Sequence, residues 1–383
     1  MKHARHIPYA ILVAGAAAAL GQSDGAPRDL ERLRDDLASR VPSAEEARTA
    51  ADSLDSWRLD AQKLPPEQQA GLIEVKLRIA LALGDAAQAA ELAPQLRAVQ
   101  PDAPRTWEAA YLAACAAGDA PLALEALGAL EKSADSAQRR RFSLRKRWAR
   151  EIGQDAPNVT LRAEDQTALS AEDRRGKALV IDFWNVLTDQ DEQHAAALKR
   201  LHEAYGAAPE LEWVGVNSDS ESRLERAKAW ATEHGYAWKQ CYERPAGRAP
   251  ITHEQFHVTA QPWLTLIDGY SFVRAVGAAN EPGFEYALRA AVAEARGDFP
   301  AVTPTTRDGH KPGGAPPAAE SEEKVVRPPT DLPSDPEAAR LLGQGRLFWR
   351  TGKKTDARKI FEEIVAKYPG TREAEAAKVY LDP

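Results

Sequence analysis

The stretch from Gly176 to Leu201 constrains the fold of this chain more than any other part of its sequence. It opens with Ala178–Trp184, a nearly continuous apolar run that is typical of a central strand covered on both faces. A tight turn follows, and a helix is predicted from about Asp189. Thr188 and Asp191 fit the S/T-x-x-D/E pattern of a capped helix start. The stretch therefore predicts a buried strand, a tight turn and a helix.

The residues beyond this stretch alternate between predicted strands and helices. The run LEWVGVNSDS is a second apolar segment and is predicted as a buried strand. Two apolar runs separated by Asp268 and Gly269 predict a hairpin. The remaining predictions are a helix over Glu221–Gly235, a short strand within Tyr236–Glu243 and a closing helix over Glu285–Arg296.

Residues 28–152 carry a helical pattern with an internal repeat. The pair Gly84-Asp85 recurs 34 residues later as Gly118-Asp119. A small residue follows each glycine after five positions: Ala89 and Ala123. Thirty-four residues is the tetratricopeptide (TPR) period, in which the glycine lies in the turn and the small residue lets two helices pack closely. We therefore predict a TPR-like α-solenoid over residues 28–152.

Three motifs in the following residues resemble TlpA-like thioredoxins and related redoxins. Gly176-Lys177, the apolar run and Phe183-Trp184 resemble the segment that leads into the active-site helix of that family. The lead-in APNVTLRAEDQTALSAEDRRGK and the run from Val258 to Asp268, with Pro262 at the place of the family's cis-proline, complete the resemblance. It covers about residues 155–297 and implies a thioredoxin fold, a mixed sheet flanked by helices.

The resemblance also implies where a redox site would lie. The family carries W-C-x-x-C on the first turn of the helix, and here Thr188 and Asp191 occupy the two cysteine positions. Alignment with the peroxiredoxin pattern P-x-x-x-T-x-x-C leaves Asp191 in the cysteine position. The nucleophilic and resolving thiols are therefore absent, and we treat both positions as vestigial, with no catalytic residue.

A peptide-binding ledge is the remaining function that the resemblance implies for this region. Thioredoxin-like sites hold an extended peptide beside the cis-proline. The corresponding residues here are Trp184, Leu187, Gln261, Pro262 and Trp263. Trp263 stands where the family usually has threonine. The alternative is that Trp184 belongs to the core and that Trp263 fills the groove.

Only two cysteines occur in the 383 residues, Cys115 and Cys241. Cys115 lies in the Ala-rich helix AAYLAACAAG, where a buried small apolar residue is expected. Cys241 lies in a predicted short strand and is the one thiol that could support relocated redox chemistry in the thioredoxin-like region. A structural role is the simpler interpretation of both.

The segment from His253 to His257 matches the zinc-protease signature H-E-x-x-H, with Glu254 as the acid. A helix there would be short, since Pro250 precedes it and it is expected to end by about Val258. Phe256 and Val258 are expected to pack in the core before the cis-proline. A zinc hydrolase is therefore a remote alternative, and we expect no metal and no cofactor.

The N-terminus has the pattern of a secretory signal peptide over residues 1–21. Lys2 and Arg5 precede an apolar run from Ile7 to Leu20 that is too short and too rich in alanine and glycine for a membrane span. A formal net charge of −7 gives no reason to expect a nucleic acid. We expect a secreted or periplasmic protein without a stable membrane span after cleavage.

Residues 298–335 are rich in proline and are predicted as a disordered linker. A TPR-like helical pattern returns over residues 336–383, in which Gly345, Phe348, Gly352 and Ala357 fit the repeat. A single helix pair cannot bury its own apolar face, so this hairpin must dock in cis or in trans.

The predicted fold class is a multidomain α plus α/β protein, with a TPR-like solenoid, a thioredoxin fold and a C-terminal TPR-like hairpin. The function that this combination favours is non-catalytic: an interaction or scaffold module whose partner is a protein or peptide. The alternative is a thiol–disulfide oxidoreductase or peroxidase that uses Cys241.

Overall fold

Two units make up the chain, Met1–Pro312 and Gly313–Pro383. The computed structural model describes residues 26–157, 160–164, 168–170, 176–186, 192–242, 255–258, 263–309 and 354–381, with isolated residues between 333 and 345. The predicted signal peptide and most of the predicted linker lie outside the described residues.

The first unit begins with helices that follow one another through short turns. The second helix starts with a capping box, in which Ser43 accepts from the Glu46 amide and the Glu46 side chain accepts from the Ser43 amide. The bounds are α1 Ala26–Ser39, α2 Ala44–Trp57, α3 Pro66–Leu83, α4 Ala86–Val99, α5 Pro104–Ala117, α6 Ala120–Lys132 and α7 Ser136–Ala149.

The sequence repeat appears as two helix hairpins with matching turns, α3–α4 and α5–α6. Gly84 and Gly118 end the first helix of each pair with φ of 87° and 68°, a conformation that favours glycine. Asp85 and Asp119 then cap the second helix by accepting from the Gln88 and Leu122 amides, at 2.9 and 3.0 Å. The two small residues of the repeat, Ala89 and Ala123, are fully buried.

A mixed five-stranded sheet follows the helices, with the strand order β5-β4-β3-β6-β7. Strands β3, β4 and β5 are parallel, and β6 and β7 are antiparallel to their neighbours. A two-stranded ribbon, β1–β2, stands apart from it. The bounds are β1 Thr160–Arg162, β2 Ala168–Ser170, β3 Ala178–Trp184, β4 Leu211–Asn217, β5 Lys239–Tyr242, β6 Trp263–Ile267 and β7 Val273–Gly277.

Helices cover both faces of this sheet, as the thioredoxin resemblance implied. On one face of β3, Val180 and Trp184 pack with side chains from α8 (Glu192–Tyr205), α9 (Leu224–Glu233) and α10 (Pro282–Arg296). On the other face, Ile181 and Phe183 pack with Trp148 of α7. The predicted strands and the hairpin are confirmed, and the chain contains a thioredoxin fold preceded and followed by helices.

Helix α10 joins the sheet to the N-terminal helices within the first unit. Its Phe284 and Leu288 lie in the core beside the sheet, whereas Tyr286 and Ala290 lie in the core of the N-terminal helices. Arg289 donates to the carbonyl oxygen of Ala82 at the end of α3, at 3.0 Å. Helix α10 therefore contributes buried side chains to both hydrophobic cores.

The first residues of the predicted linker are held against the helices. Thr305 donates its amide to the Gly118 oxygen at 2.7 Å, and its own oxygen accepts from the Ala120 amide at 3.0 Å. Val302 accepts from Arg274, a fully buried residue of β7 whose guanidinium also pairs with Glu294 at 2.7 Å. The structure therefore differs from the prediction of disorder at residues 302–305, because backbone hydrogen bonds and the buried Arg274 hold these residues in place.

The second unit contains α11 (Lys354–Lys367) and α12 (Arg372–Leu381). Ala357, Phe361 and Ile364 of α11 are fully buried against Ala374 and Ala377 of α12. The Phe361 ring stacks on Tyr380 with centroids 4.5 Å apart. In both units, the helices that the structure describes include none long and apolar enough to cross a membrane.

Candidate functional site

The carboxyl ends of β3 and β4 lie side by side, where Trp184 is paired with Asn217. Open α/β sheets place ligands and catalytic groups at this edge. The chain continues from Trp184 through Asn185 and Val186, and Leu187, Thr188 and Asp191 lie outside the described residues. The described part of the site therefore consists of the strand ends and the side chains that surround them.

A buried polar network fixes the backbone at this edge. One carboxylate oxygen of Asp219, Oδ2, accepts from the Val186 amide and from the Asn217 side-chain amide, both at 2.9 Å. Asn217 Oδ1 accepts from the Asp219 amide at 3.1 Å, and the Ser218 amide donates to the Trp184 oxygen, also at 3.1 Å. The network ties the residue after β3 to the end of β4 and so sets where the following loop begins.

The Trp184 side chain is fully buried at the end of β3. Its indole N–H donates to Gln240 Oε1 at 3.0 Å. Gln240 belongs to β5, so its side chain must pass over β4, and it does so at Gly215. A Cβ at Gly215 would overlap the Gln240 amide, which explains a glycine in the middle of a buried strand.

Aromatic rings cover Trp184 on the face of the sheet that packs against α8, α9 and α10. Trp230 of α9 stacks on it and Tyr236 meets it edge-on, each with centroids 5.6 Å apart. Trp238 stacks on Tyr236 at 4.3 Å, and Trp213 lies 5.7 Å from Trp238. Trp184 is therefore the inner member of an aromatic cluster and presents no face to a ligand.

Trp263 is also fully buried, at the start of β6 opposite Phe183. Its indole N–H donates to Thr265 Oγ1 at 3.1 Å. The core encloses both Trp184 and Trp263, and this burial opposes the expected peptide ledge at these two side chains. The structure agrees with the alternative in which Trp184 is a core residue. Gln261 and Pro262 lie outside the described residues.

Both cysteines are buried in the structure. Cys241 is 2% exposed and packs in the core that contains Phe183, Phe256 and Trp263. Cys115 lies in α5, and burial raises the pKa of its thiol to about 12. The two sulfurs form no disulfide. A reactive cysteine needs access and stabilisation of its thiolate, and burial of both residues opposes that role.

In the zinc-protease signature, the structure describes Gln255 at the end of a helical segment and Phe256 and His257 in the turn after it. His253 and Glu254 lie outside the described residues. His257 has a φ of 51°, in the left-handed region, so the helical turn has ended before the second histidine. His257 Nδ1 lies 2.9 Å from a carboxylate oxygen of Glu151 in the N-terminal part. Across the described part of the chain, no group of three or more His, Cys, Asp or Glu side chains could hold a metal. Phe256 is buried as predicted.

Sequence reasoning missed three polar residues of this region. Asp182 is fully buried in the middle of β3, and Asn217 and Asp219 form the network at the sheet edge. A signal for all three was present. Asp182 interrupts an apolar strand, and Asn217 and Asp219 come at the end of the next buried strand, where parallel strand ends meet.

This sheet and its two faces define a thioredoxin-like domain. Residues 152–273 match the model of the AhpC/TSA family, which is less than half of the chain. No curated protein matches the chain.

Several solved structures are similar to part of the chain. A thiol-disulfide oxidoreductase from Bacteroides fragilis NCTC 9343 has 23% identity over 32% of this chain and 89% of that chain, with a TM-score of 0.30. The thioredoxin domain of a thiol-disulfide oxidoreductase from Bacteroides vulgatus has 19% identity, 36% and 96% coverage and a TM-score of 0.32. A thioredoxin family thiol:disulfide interchange protein from Chlorobium tepidum TLS has 15% identity, 37% and 97% coverage and a TM-score of 0.30.

Proposed function

We propose that this protein is a non-catalytic interaction or scaffold module whose thioredoxin-like domain has lost its redox chemistry. One observation carries the proposal: Thr188 and Asp191 occupy the two thiol positions, and Cys241, the remaining thiol of the domain, is buried in its core. Thiol–disulfide exchange requires attack by an accessible thiolate. The polar network at Asp219 and the sealed indole of Trp184 suit a region that has become structural.

The proposed binding surface is provided by TPR-like helix pairs. The matching turns at Gly84 and Gly118 and the buried Ala89 and Ala123 support this interpretation of the repeat. Stacked helix pairs present extended surfaces to proteins or peptides. Helix α10 packs on α3 and α5, so a partner of the first unit would bind a face that α10 leaves uncovered. The α11–α12 pair is a second candidate surface.

We also propose that the protein is secreted or periplasmic. The charged start and the apolar run of residues 7–20 support a cleaved signal peptide. In such a compartment disulfides can form, so two buried, unlinked cysteines fit a protein in which the thiols are core residues.

A pull-down with the mature chain tests the interaction role. The matched comparison is the same chain ending at Pro312, because this removes the second unit at its boundary. We expect the full chain to retain a specific protein in stoichiometric amounts. Weaker retention by the shorter chain would assign the surface to α11–α12, and equal retention would assign it to the first unit. Failure of both chains to retain any protein specifically would contradict the scaffold proposal.

A further inference from the structure

A cavity of about 90 Å³ lies away from the thioredoxin-like site, where α3, α5, α7 and α10 meet the turn after α1. Its walls include Arg78 of α3, Tyr111 of α5, Arg145 of α7 and Tyr286 of α10. The cavity is therefore built by the N-terminal helices together with the last helix of the thioredoxin fold. It has room for a few water-sized molecules or one small ligand.

Two buried side chains bring unused hydrogen-bond donors to this cavity. Arg78 is 3% exposed, and its Nε donates to Glu74 Oε1 at 3.0 Å. Its two terminal nitrogens donate to no acceptor among the described residues. Tyr286 is 1% exposed, and its hydroxyl likewise has no hydrogen-bond partner in the described part of the chain. None of these atoms is completely sealed from solvent, and both residues line the cavity.

The acidic groups near the cavity are already engaged. Glu74 pairs with Arg78 and lies 3.8 Å from Arg105. Glu281 accepts hydrogen bonds from Arg145 and Arg141. Glu46 accepts from Arg40, which also lines the cavity. Glu108 is the acid among the lining residues, and it is exposed. Glu74 therefore engages Nε of Arg78, and the two terminal nitrogens of this guanidinium have no carboxylate partner among the described residues.

The tyrosine hydroxyl adds a neutral donor beside this cation. Burial raises the pKa of Tyr286 to about 12, with the positive charge of Arg78 acting in the opposite direction. The hydroxyl therefore keeps its proton at neutral pH. A guanidinium has donors and no acceptor, and its fork matches the oxygens of a carboxylate or phosphate. Leaving buried donors without an acceptor is unfavourable, and a bound oxyanion would supply one.

We propose that this cavity binds a small oxyanion, either a carboxylate or inorganic phosphate, through the terminal nitrogens of Arg78 and the hydroxyl of Tyr286. Such a ligand would join α3 to α10 and thereby link the N-terminal helices to the thioredoxin fold. The volume limits it to a small molecule or a small terminal group. This inference does not depend on the proposed scaffold function.

Isothermal titration calorimetry on the full chain tests the proposal, with sodium phosphate and sodium acetate as separate arms. Ionic strength is held constant with sodium chloride in every sample. We expect saturable binding in at least one arm, and the stronger arm identifies the chemical class. No saturable binding in either arm, or an equal response to chloride, would overturn the proposal.

Three variants assign the binding to the cavity. Tyr286→Phe removes one hydroxyl and should weaken binding by about tenfold or more, since hydrogen bonds to charged groups are strong. Glu74→Gln/Arg78→Gln removes the buried pair without changing the net charge and should abolish binding. Arg139→Gln removes an exposed positive charge of α7 that does not line the cavity, and should bind like the wild type. Wild-type affinity in Tyr286→Phe would overturn the assignment, and this variant decides the question if the double variant does not fold.

Discussion

At the residue scale, the edge of the sheet is held by side chains that cross between strands. Gln240 reaches over Gly215 to Trp184, and Asp219 holds the amide of Val186. The sequence indicated that Trp184 could be a core residue, since it ends an apolar run. It could not predict the Gln240 hydrogen bond, because that contact depends on the register between β4 and β5.

Gly215→Ala should destabilise the protein, because the new Cβ displaces Gln240 and leaves the buried indole N–H of Trp184 without its acceptor. We expect a loss of about 1–3 kcal/mol in the free energy of unfolding. Urea denaturation followed by tryptophan fluorescence measures it. Gly128→Ala is the matched control, because no described atom lies within 4 Å of its Cβ. That change should stabilise α6 by about 0.5–1 kcal/mol. Equal effects of the two substitutions would contradict this account of Gly215.

The capping box of α2 should make stability depend on pH. The hydrogen bond from Arg40 lowers the pKa of Glu46 from 4.5 to about 2. A lowered pKa in the folded state contributes stability above the unfolded value, and that stability is lost as pH falls from about 4.5 toward about 2. Because the pair is largely solvent-exposed, the effect should stay below about 1 kcal/mol.

Glu46→Gln provides the measurement for this carboxylate. The variant should be less stable than the wild type near neutral pH. The difference in urea midpoint should shrink as pH falls from about 4.5 and vanish below about pH 2, where Glu46 is protonated in the folded state as well. A constant difference across this range would show that the charge of Glu46 contributes nothing.

At the scale of elements, the predicted strands agree with the strands of the structure, because their apolar runs are bounded by polar turns. Helix α10 begins at Pro282 instead of Glu285, because proline suits the first helical position. The linker prediction failed at Val302 and Thr305 for a different reason. Their order comes from backbone pairing and from the buried Arg274, which a local composition argument cannot detect.

Thr305→Pro should destabilise the first unit, because proline cannot donate to the Gly118 oxygen. The expected loss is about 1–3 kcal/mol, as for a buried acceptor left without its partner. Thr305→Ala keeps both backbone hydrogen bonds and is the matched control. Chemical denaturation compares the two, and faster amide hydrogen exchange at Ala120 in the proline variant alone would locate the effect. Identical stability of both variants would mean that residues 302–305 add nothing to the fold.

At the scale of the whole molecule, α10 makes the thioredoxin fold and the N-terminal helices parts of one unit. The sequence could predict that this helix is amphipathic, but not that a second apolar face would meet α3 and α5. The repeat at Gly84 and Gly118 was visible from spacing alone, since its turns and caps are local. The oxyanion cavity was not visible, because Arg78 and Tyr286 are far apart in the sequence and meet only in the fold.

We propose that the thioredoxin-like domain keeps the fold and lacks the redox chemistry. Insulin reduction with dithiothreitol tests it most directly, with the wild type, Cys241→Ser and Thr188→Cys/Asp191→Cys measured together. We predict that the wild type and Cys241→Ser both stay at the background rate, whereas the double-cysteine variant rises above it. Wild-type turnover that disappears in Cys241→Ser would contradict the account and establish a relocated redox site.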